Sequence, residues 1–255
     1  MKTTAIVNLK GGVAKSTTVI NMAAILARHH GKKVLIIDAD SQCNTTEFFG
    51  ADPGKGNLAT VLRNSGAEPN PGANAAWNIQ GTRFAGIDIL SGDDSLMDLD
   101  LSKVEQQTVN ANVLRYLVDE VWHDYDFAFI DCPPAFNAAS AAALIAADDV
   151  IIPIKLDAFS LRGMVNLMRQ IQNMRKINPK LNISGVLPTM WYKDPEIEAA
   201  EAQLRKAGLH VFHHIRRSDK VDKMTFRQEP LLISSPKSSA GKDYRKFVDE
   251  FVGGK

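Results

Sequence analysis

Residues 10–17 constrain the fold of this chain more than any other segment. Their sequence is Lys-Gly-Gly-Val-Ala-Lys-Ser-Thr, and they lie between a short apolar run, Thr4–Val7, and a helical stretch, Thr17–His29. Glycine has no Cβ atom, so backbone N–H groups can approach an anion closely. A helix that begins directly after such a loop adds its positive dipole end and free N–H groups. The order of strand, glycine-rich loop and helix therefore predicts a phosphate-binding loop.

The rest of the chain alternates between apolar runs rich in β-branched residues and helical stretches. The apolar runs lie at Lys33–Ile37, Ile87–Leu90, Phe127–Ile130, Val150–Ile154 and Ile183–Leu187, and the helical stretches between them include Asn110–Val121, Ala138–Ala146 and Leu161–Ile177. This alternation predicts an α/β fold, with a single doubly wound, mostly parallel sheet that carries helices on both faces. We expect one domain over residues 1–255, in which the aperiodic segment 63–83 is a long surface connection.

Cysteine usage and charge narrow the function classes. The two cysteines, Cys43 and Cys132, are far apart and lack metal-ligand spacing, so neither a zinc site nor a disulfide framework is expected. Because no apolar run approaches the length of a membrane span and no signal peptide precedes the first strand, we expect a cytoplasmic protein. The net charge is +1, but the residues from 201 onward carry 12 Lys/Arg against 7 Asp/Glu. That excess suits an anionic partner, and ordinary surface variation explains it equally well.

Polar residues of the loop have separate predicted roles. We expect Lys15 to reach the β- and γ-phosphates of ATP and the Ser16 hydroxyl to bind Mg²⁺. The general phosphate-loop pattern, G-x-x-x-x-G-K-[ST], has glycine where this chain has Leu9 and Ala14. By this pattern alone the match is partial, and a Gly-Gly turn before a helix is the structural alternative.

The loop resembles the deviant phosphate loop of the ParA/MinD ATPases, usually written K-G-G-x-G-K-[ST]-T. In that family the leading residue is lysine and the loop begins one residue later, so Leu9 is no departure and Ala14 is. An alanine there is a mild change if its φ is negative, whereas a positive φ puts nucleotide affinity in doubt. The resemblance covers nearly the whole chain. Further segments that carry it are Asp38-Ala39-Asp40-Ser41-Gln42-Cys43-Asn44, Ile130-Asp131-Cys132-Pro133-Pro134, residues 151–163 and residues 236–250.

The resemblance implies ATP and Mg²⁺ as cofactors and gives each motif residue a role. Lys10 would cross a homodimer interface and contact the nucleotide of the other subunit, with an exposed surface lysine as the alternative. Together with Lys15 and Asp40 it forms the predicted catalytic set. Asp40 would orient the attacking water, while Asp38 and Asp131 would hold Mg²⁺ through its water ligands. A helix cap is the alternative for Asp38. The nucleotide would also contact Gly11, Gly12, Val13, Ala14 and Thr17.

Two further sites are implied by the resemblance. Adenine would lie against Pro188, Thr189 and Met190, directly after the run Ile183–Leu187, and loop packing is an equal alternative for these residues. A basic segment, 205–227, resembles the stretch with which ParA proteins contact DNA non-specifically, and such phosphate contacts need only positive charge. The predicted DNA contacts are Arg216, Arg217, Lys220, Lys237, Lys242 and Arg245, with a solvated, ion-paired face as the alternative.

Taken together, these segments favour a ParA-type DNA-partitioning ATPase. The resemblance implies an ATP-bound sandwich dimer on non-specific DNA, slow hydrolysis stimulated by a ParB-like adaptor, and a nucleoid-associated place in the cytoplasm. A MinD-type membrane-cycling ATPase is the first alternative, but no membrane contact is expected, because Asp249 and Glu250 interrupt any basic face of the closing helix. A redox enzyme like the iron protein of nitrogenase-type reductases is the second, and it would need cysteines that hold a cluster. The cargo stays open.

Overall fold

The computed structural model describes residues 1–64, 70–106 and 108–253. Within them, seven strands form one sheet in the order β3-β4-β2-β5-β1-β6-β7. The strands are β1 (Lys2–Ile6), β2 (Val34–Asp38), β3 (Ile79–Gly81), β4 (Ile87–Leu90), β5 (Phe127–Asp131), β6 (Asp149–Lys155) and β7 (Asn182–Thr189). Neighbouring strands are parallel except β3, which pairs antiparallel with β4 at the sheet edge. The predicted mostly parallel sheet is therefore confirmed.

Twelve α-helices accompany the sheet in the described residues. They are α1 (Lys15–His30), α2 (Asn44–Phe49), α3 (Leu58–Asn64), α4 (Pro71–Ala76), α5 (Leu101–Glu105), α6 (Val113–Glu120), α7 (Ala138–Ala146), α8 (Ala158–Met174), α9 (Pro195–Lys206), α10 (Asp219–Arg227), α11 (Leu231–Ser234) and α12 (Ser239–Gly253). Two short 3₁₀ turns lie at Pro53–Lys55 and Asp94–Asp98. In the same residues, no helix combines the length and the apolar character that crossing a bilayer requires.

Side chains of the central strands alternate between two hydrophobic cores, one on each face of the sheet. In β2, Leu35 and Ile37 pack into the core beneath α6 and α7, while Val34 and Ile36 pack into the core beneath α1 and α12. All four are fully buried. Successive side chains of a strand point to opposite faces, so a strand with no polar interior positions must be covered on both sides. This burial confirms the predicted helices on both faces.

Parallel pairing brings the carboxyl ends of the strands to one edge of the sheet. Asp38, the last residue of β2, lies directly opposite Asp131, the last residue of β5, and Asp131 is in turn opposite Ile6 of β1. The phosphate loop follows β1 directly, since α1 begins at Lys15. The register of three strands therefore places both aspartates next to the loop.

The segment 63–83 differs from the prediction of a long surface connection. It contains α4 and β3, although residues 65–69 lie outside the described part of the chain. β3 is only three residues long, and its residues are half-buried or exposed. It has no run of apolar residues. Helix α4 likewise shows only two buried residues, Gly72 and Ala75. Hydrophobic periodicity is too weak in such short elements to reveal them.

Candidate functional site

Two cavities that both have Met190 in their lining lie at the carboxyl edge of the sheet. The first has a volume of about 510 Å³ and the second of about 530 Å³. Both are lined by Ala14, Thr17, Val221 and Asp222 as well as Met190, so they form one continuous cleft. The first is also lined by residues of the loop and of the opposite wall, including Gly11, Gly12, Lys15, Ser16, Asp40, Gln42 and Asn44. The structure thus brings the predicted phosphate loop and Asp40 to the same cavity.

The loop leaves the start of α1 open toward the cavity. Ala14 is the N-cap residue and its side chain makes no capping hydrogen bond. In α7, α8 and α9, by contrast, Asn137, Asp157 and Asp194 accept hydrogen bonds from the first backbone N–H groups. Uncapped N–H groups at a helix start are donors for an anion. This open helix end is the arrangement that phosphate binding requires.

Ala14 has the positive φ that the sequence analysis identified as the unfavourable case. Its φ is 66° and its ψ is 35°, in the left-handed region, and neighbouring Gly12 has a φ of 67°. Glycine adopts this region freely, whereas a Cβ atom makes it cost about 1–2 kcal/mol. The alanine is therefore a strained substitution, and it stands at the one position of the loop that departs from the family pattern.

Ala14→Gly is expected to raise the free energy of unfolding by about 1 kcal/mol, because glycine relieves the left-handed φ that Ala14 has in the folded chain. Thermal or urea unfolding measures the change. Ala207→Gly is the matched control: Ala207 is exposed at the end of α9 with a φ of −73°, so its replacement relieves no strain and should not stabilise the protein. An Ala14→Gly protein no more stable than the original would show that the left-handed φ carries no strain.

Lys15 is the buried cation of the site. Its side chain is only 6% exposed, and Nζ donates to the backbone oxygen of Lys10 at 3.3 Å. Burial lowers the pKa of Lys15, while the negative charges of Asp131 and Asp40 oppose that shift. A buried ammonium group that lines the cavity at the start of α1 is suited to binding phosphate oxygens.

Asp131 and Ser16 have the donor atoms of a magnesium site. Asp131 is fully buried, its Oδ2 accepts a hydrogen bond from Thr45 Oγ1 at 2.6 Å, and its Oδ1 has no hydrogen-bond partner. Burial raises the pKa of Asp131 to about 6, against hydrogen bonds from Thr45 and Ser16 that lower it. A buried carboxylate oxygen without a donor, next to a serine hydroxyl that lines the cavity, fits a hard cation with oxygen ligands.

Asp38 lies behind this pair and supports the loop that carries Asp40. Its Oδ2 accepts from both the backbone N–H and the hydroxyl of Thr46, and its Oδ1 accepts from the N–H of Asp40. Burial and the nearby charge of Asp131 raise the pKa of Asp38 to about 7. The contacts of Asp38 are those of a residue that positions residues 40–46, and its predicted contact with Mg²⁺ through water stays a prediction.

Asp40 faces the first cavity opposite Lys15. It is 6% exposed, and its Oδ1 accepts from the N–H of Gln42 at 3.0 Å, which fixes the side chain within a tight turn. The turn continues into α2 through Cys43, whose φ is 53°. A carboxylate held in this way on the wall opposite the phosphate loop can orient a water without moving.

Lys10 has a partner within its own chain that no sequence motif indicates. Its Nζ donates to both carboxylate oxygens of Asp157, at 2.9 and 2.8 Å, and to Ser160 Oγ at 2.9 Å. Although partial burial opposes it, hydrogen bonds from Lys10 and Ser160 lower the pKa of Asp157 to about 2. Lys10 is thus ion-paired with its side chain 37% exposed, and its predicted contact with a second subunit, which requires Lys10 to leave Asp157, stays a prediction.

The predicted adenine residues differ in where they lie. Thr189 and Met190 line the second cavity together with Tyr192 and Ile215. Pro188 is buried inside β7, where its carbonyl accepts from the N–H of Ile215 at 2.8 Å. The strand extends to Thr189, two residues beyond the apolar run, because its last two residues pair with Ile154 and Lys155 of β6. Pro188 and Thr189 are thus residues of β7, Thr189 donates to the Val13 backbone oxygen, and Met190, directly after the strand, lines both cavities.

Arg216, one of the predicted DNA contacts, has an acidic partner within its own chain. Its Nε and Nη2 donate to the two carboxylate oxygens of Asp243 at 2.8 Å each, and its backbone N–H donates to the same group. Asp243 is 1% exposed. A buried carboxylate needs such partners, because removing one of them would leave its charge uncompensated. Arg216 therefore ties the basic segment to α12, and because its side chain is still 45% exposed, its predicted contact with DNA stays a prediction.

The other predicted DNA contacts have more varied surroundings. Arg217 is exposed and lines the second cavity, and Lys220 pairs with Asp219 at 3.2 Å. Lys237 and Lys242 are exposed before and within α12, whereas Arg245 is half-buried and its Nε is buried without a hydrogen-bond partner. Arg217 and Lys220 thus lie beside the cleft.

The chain is similar in sequence to known proteins over most of its length. The AAA domain family matches residues 1–183. A ParA family protein of Chlamydia trachomatis is 30% identical over 99% of this chain and 98% of its own length. The chromosome partitioning protein ParA of Caulobacter vibrioides is 31% identical over 99% of this chain and 94% of its own.

Solved structures with the same fold hold nucleotides. Cobyrinic acid a,c-diamide synthase from Mycobacterium smegmatis, with bound ADP and magnesium, has a TM-score of 0.79 at 26% identity and covers 99% of this chain and 94% of its own. An ATP complex of Cyanothece McdA has a TM-score of 0.85 at 24% identity and covers 100% of this chain and 97% of its own. At that identity the second likeness concerns the fold alone.

Proposed function

The chain belongs to the ParA/MinD family of P-loop ATPases, and from this we propose that it is a DNA-partitioning ATPase, in one domain over residues 1–255, whose ATP-bound homodimer binds DNA non-specifically. One observation carries the proposal. Ala14 and Thr17 of the phosphate loop region and Arg217 of the basic segment line the same second cavity. A nucleotide bound in this cavity would therefore adjoin the basic segment, so that nucleotide binding and the position of this segment are linked.

ATP and Mg²⁺ are the cofactors of this site. The open start of α1 and Lys15 bind the phosphates, and Ser16 and Asp131 offer the oxygen atoms for the metal ion. When bound, Mg²⁺ neutralises phosphate charge that would otherwise oppose phosphoryl transfer. The second cavity, with Thr189, Met190 and Ile215, is of a size and composition to take the base.

Hydrolysis in the proposed mechanism depends on Asp40. Asp40 lines the same cavity as Lys15, and its carboxylate is fixed by the hydrogen bond from the Gln42 N–H, so it can hold a water in line with the γ-phosphate. Asp38 holds the turn that carries Asp40 through its bonds to Thr46 and to the Asp40 N–H. Positioning of this kind is most of what phosphoryl transfer asks of a protein. A ParB-like adaptor would accelerate this step.

Dimerisation in the proposed mechanism depends on Lys10. Within one chain its ammonium is neutralised by Asp157. The triphosphate of a second subunit carries more negative charge than one carboxylate, so it can draw Lys10 away from Asp157 when the two subunits face each other. Because the competing charge comes from bound ATP, the nucleotide-free protein should not dimerise in this way. Dimerisation therefore depends on the nucleotide state.

The deciding experiment is a mobility shift on non-specific duplex DNA without nucleotide, with ADP and with ATP, at two salt concentrations. We expect binding with ATP only, and weaker binding at the higher salt, because phosphate contacts release counterions. Replacing both Arg217 and Lys220 by glutamate should weaken DNA binding at least about tenfold while ATP binding is retained, since two phosphate contacts become repulsive.

A matched double variant, Lys176→Glu with Lys180→Glu, changes the same charge at exposed positions before β7, at the opposite edge of the sheet. It should bind DNA like the original protein. Equal losses in both double variants would show that total charge, and not the proposed surface, determines binding. DNA binding that ignores nucleotide would contradict the proposed function.

A further inference from the structure

Helix α10 has an inner side that belongs to the nucleotide cleft and an outer side that faces solvent. Val221, Asp222 and Thr225 line the first cavity, and Met224 is fully buried beneath the helix. Gln228, the residue that ends α10, also lines that cavity and donates from Nε2 to the backbone oxygen of Glu47 in α2. The orientation of the helix is therefore fixed by groups that form the nucleotide site.

The outer side of α10 carries a stripe of positive charge. Lys220, Lys223 and Arg227 stand at positions i, i+3 and i+7, so they follow one another along the helix. Asp219 pairs with both lysines, at 3.2 and 3.3 Å, and neutralises part of that charge. Arg217, directly before the helix, extends the stripe toward the second cavity. This side of the helix is complementary to a polyanion.

Phe226 stands beside this stripe and is almost fully exposed. Its relative exposure is 90%, the highest of the large hydrophobic side chains in the described residues. On the helix surface it adjoins Lys223 at i−3, and Asp222 at i−4 lies on its other side. Exposing a phenylalanine ring to water costs free energy in proportion to its apolar area. A partner that covers the ring would recover that free energy.

We propose that the outer face of α10 docks on duplex DNA, with Lys220, Lys223 and Arg227 on phosphates and Phe226 as an apolar contact with the sugar and base edges. This inference rests on the proposed DNA-binding function and adds an apolar contact to the phosphate contacts proposed there. Apolar wedges next to cations are a recurring way for proteins to hold DNA without reading its sequence. An anionic membrane is the weaker fit, because one aromatic ring on a helix of nine residues buries little apolar area in lipid.

The test uses the ATP-bound protein and a non-specific duplex, with the dissociation constant measured by fluorescence anisotropy over a salt series. Phe226→Ala is expected to bind about tenfold more weakly at every salt concentration, with an unchanged slope of log K against log salt, because an apolar contact releases no counterions. Phe226→Leu should recover much of the affinity. Trp77→Ala is the matched control, since Trp77 is 86% exposed at the end of α4, and it should bind like the original protein.

The outcomes separate this inference from the proposed function. Normal DNA binding by Phe226→Ala would overturn the inference and leave the function standing. A reduced salt slope in Phe226→Ala would also overturn it, because the loss would then be electrostatic. Absence of DNA binding by the original protein would remove both. Binding to phosphatidylserine vesicles that depends on Phe226, without DNA binding, would identify a membrane as the partner and overturn the inference.

Discussion

Lys15→Ala is expected to abolish measurable ATP binding, with a loss of at least about 100-fold in affinity. Lys15 is 6% exposed, so little water competes for its ammonium group, and the charges of Asp131 and Asp40 act against the lowering of its pKa by burial. Hydrogen bonds to a charged group contribute about 1.5–3 kcal/mol each, and Lys15 is placed to make more than one with the phosphates. Titration calorimetry with ATP and Mg²⁺ measures the loss.

Lys10→Ala is the matched control for Lys15→Ala, because it removes the same side chain five residues earlier in the same loop. Since Lys10 is held by Asp157 and Ser160 within the chain, its loss should leave the ATP affinity of the monomer intact and weaken dimerisation. Circular dichroism and thermal unfolding check that both variants fold. Retained ATP affinity in a folded Lys15→Ala protein would refute the assignment of the phosphate loop.

Asp40→Ala is expected to bind ATP, accumulate as a dimer and lose hydrolysis by about 100-fold or more, as expected when a group that positions or activates water is removed. Phosphate release measures hydrolysis, and size-exclusion chromatography with ATP measures the dimer. The physical reason is that Asp40 faces the cavity while Lys15 and the loop, which bind the phosphates, are untouched.

Asp40→Asn separates the charge of Asp40 from its structural contact. Asparagine keeps the oxygen that accepts from the Gln42 N–H, so the turn should be preserved. Hydrolysis should fall nearly as far as in the alanine variant if the carboxylate charge orients the water. A fully active asparagine or alanine variant would rule out this role and shift attention to other groups of the cleft.

Much of the fold could be predicted because its signals are local. Strands β2 and β5 have five residues each, and all of them are apolar except the final aspartate. Such runs predict strands that are buried on both faces. Helix α7 was predicted with its observed bounds, Ala138–Ala146. The short elements α4 and β3 were missed because three to six residues with few buried side chains leave no periodic pattern.

The candidate site was predictable to the extent that it lies in continuous motifs. The loop at 10–17 and the strand ends at Asp38 and Asp131 are each fixed by a few neighbouring residues, and parallel pairing brings them together. The pattern at Asp157 and Ser160 could have revealed a helix cap, since the Asp157 side chain accepts from the Ser160 N–H. It could not have revealed that Lys10 would bind there.

The sequence by itself determined the order of strand, loop and helix, the acids at the strand ends and the family to which the chain belongs. Only the tertiary structure decided which charges meet. Lys10 and Asp157 are 147 positions apart, and Arg216 and Asp243 are 27 apart, so their pairing depends on how α8 and α12 pack against the sheet. It also decided the φ of Ala14, because the strained loop conformation is imposed by β1 and α1 on either side. Contacts between distant segments follow from packing, which no local pattern encodes.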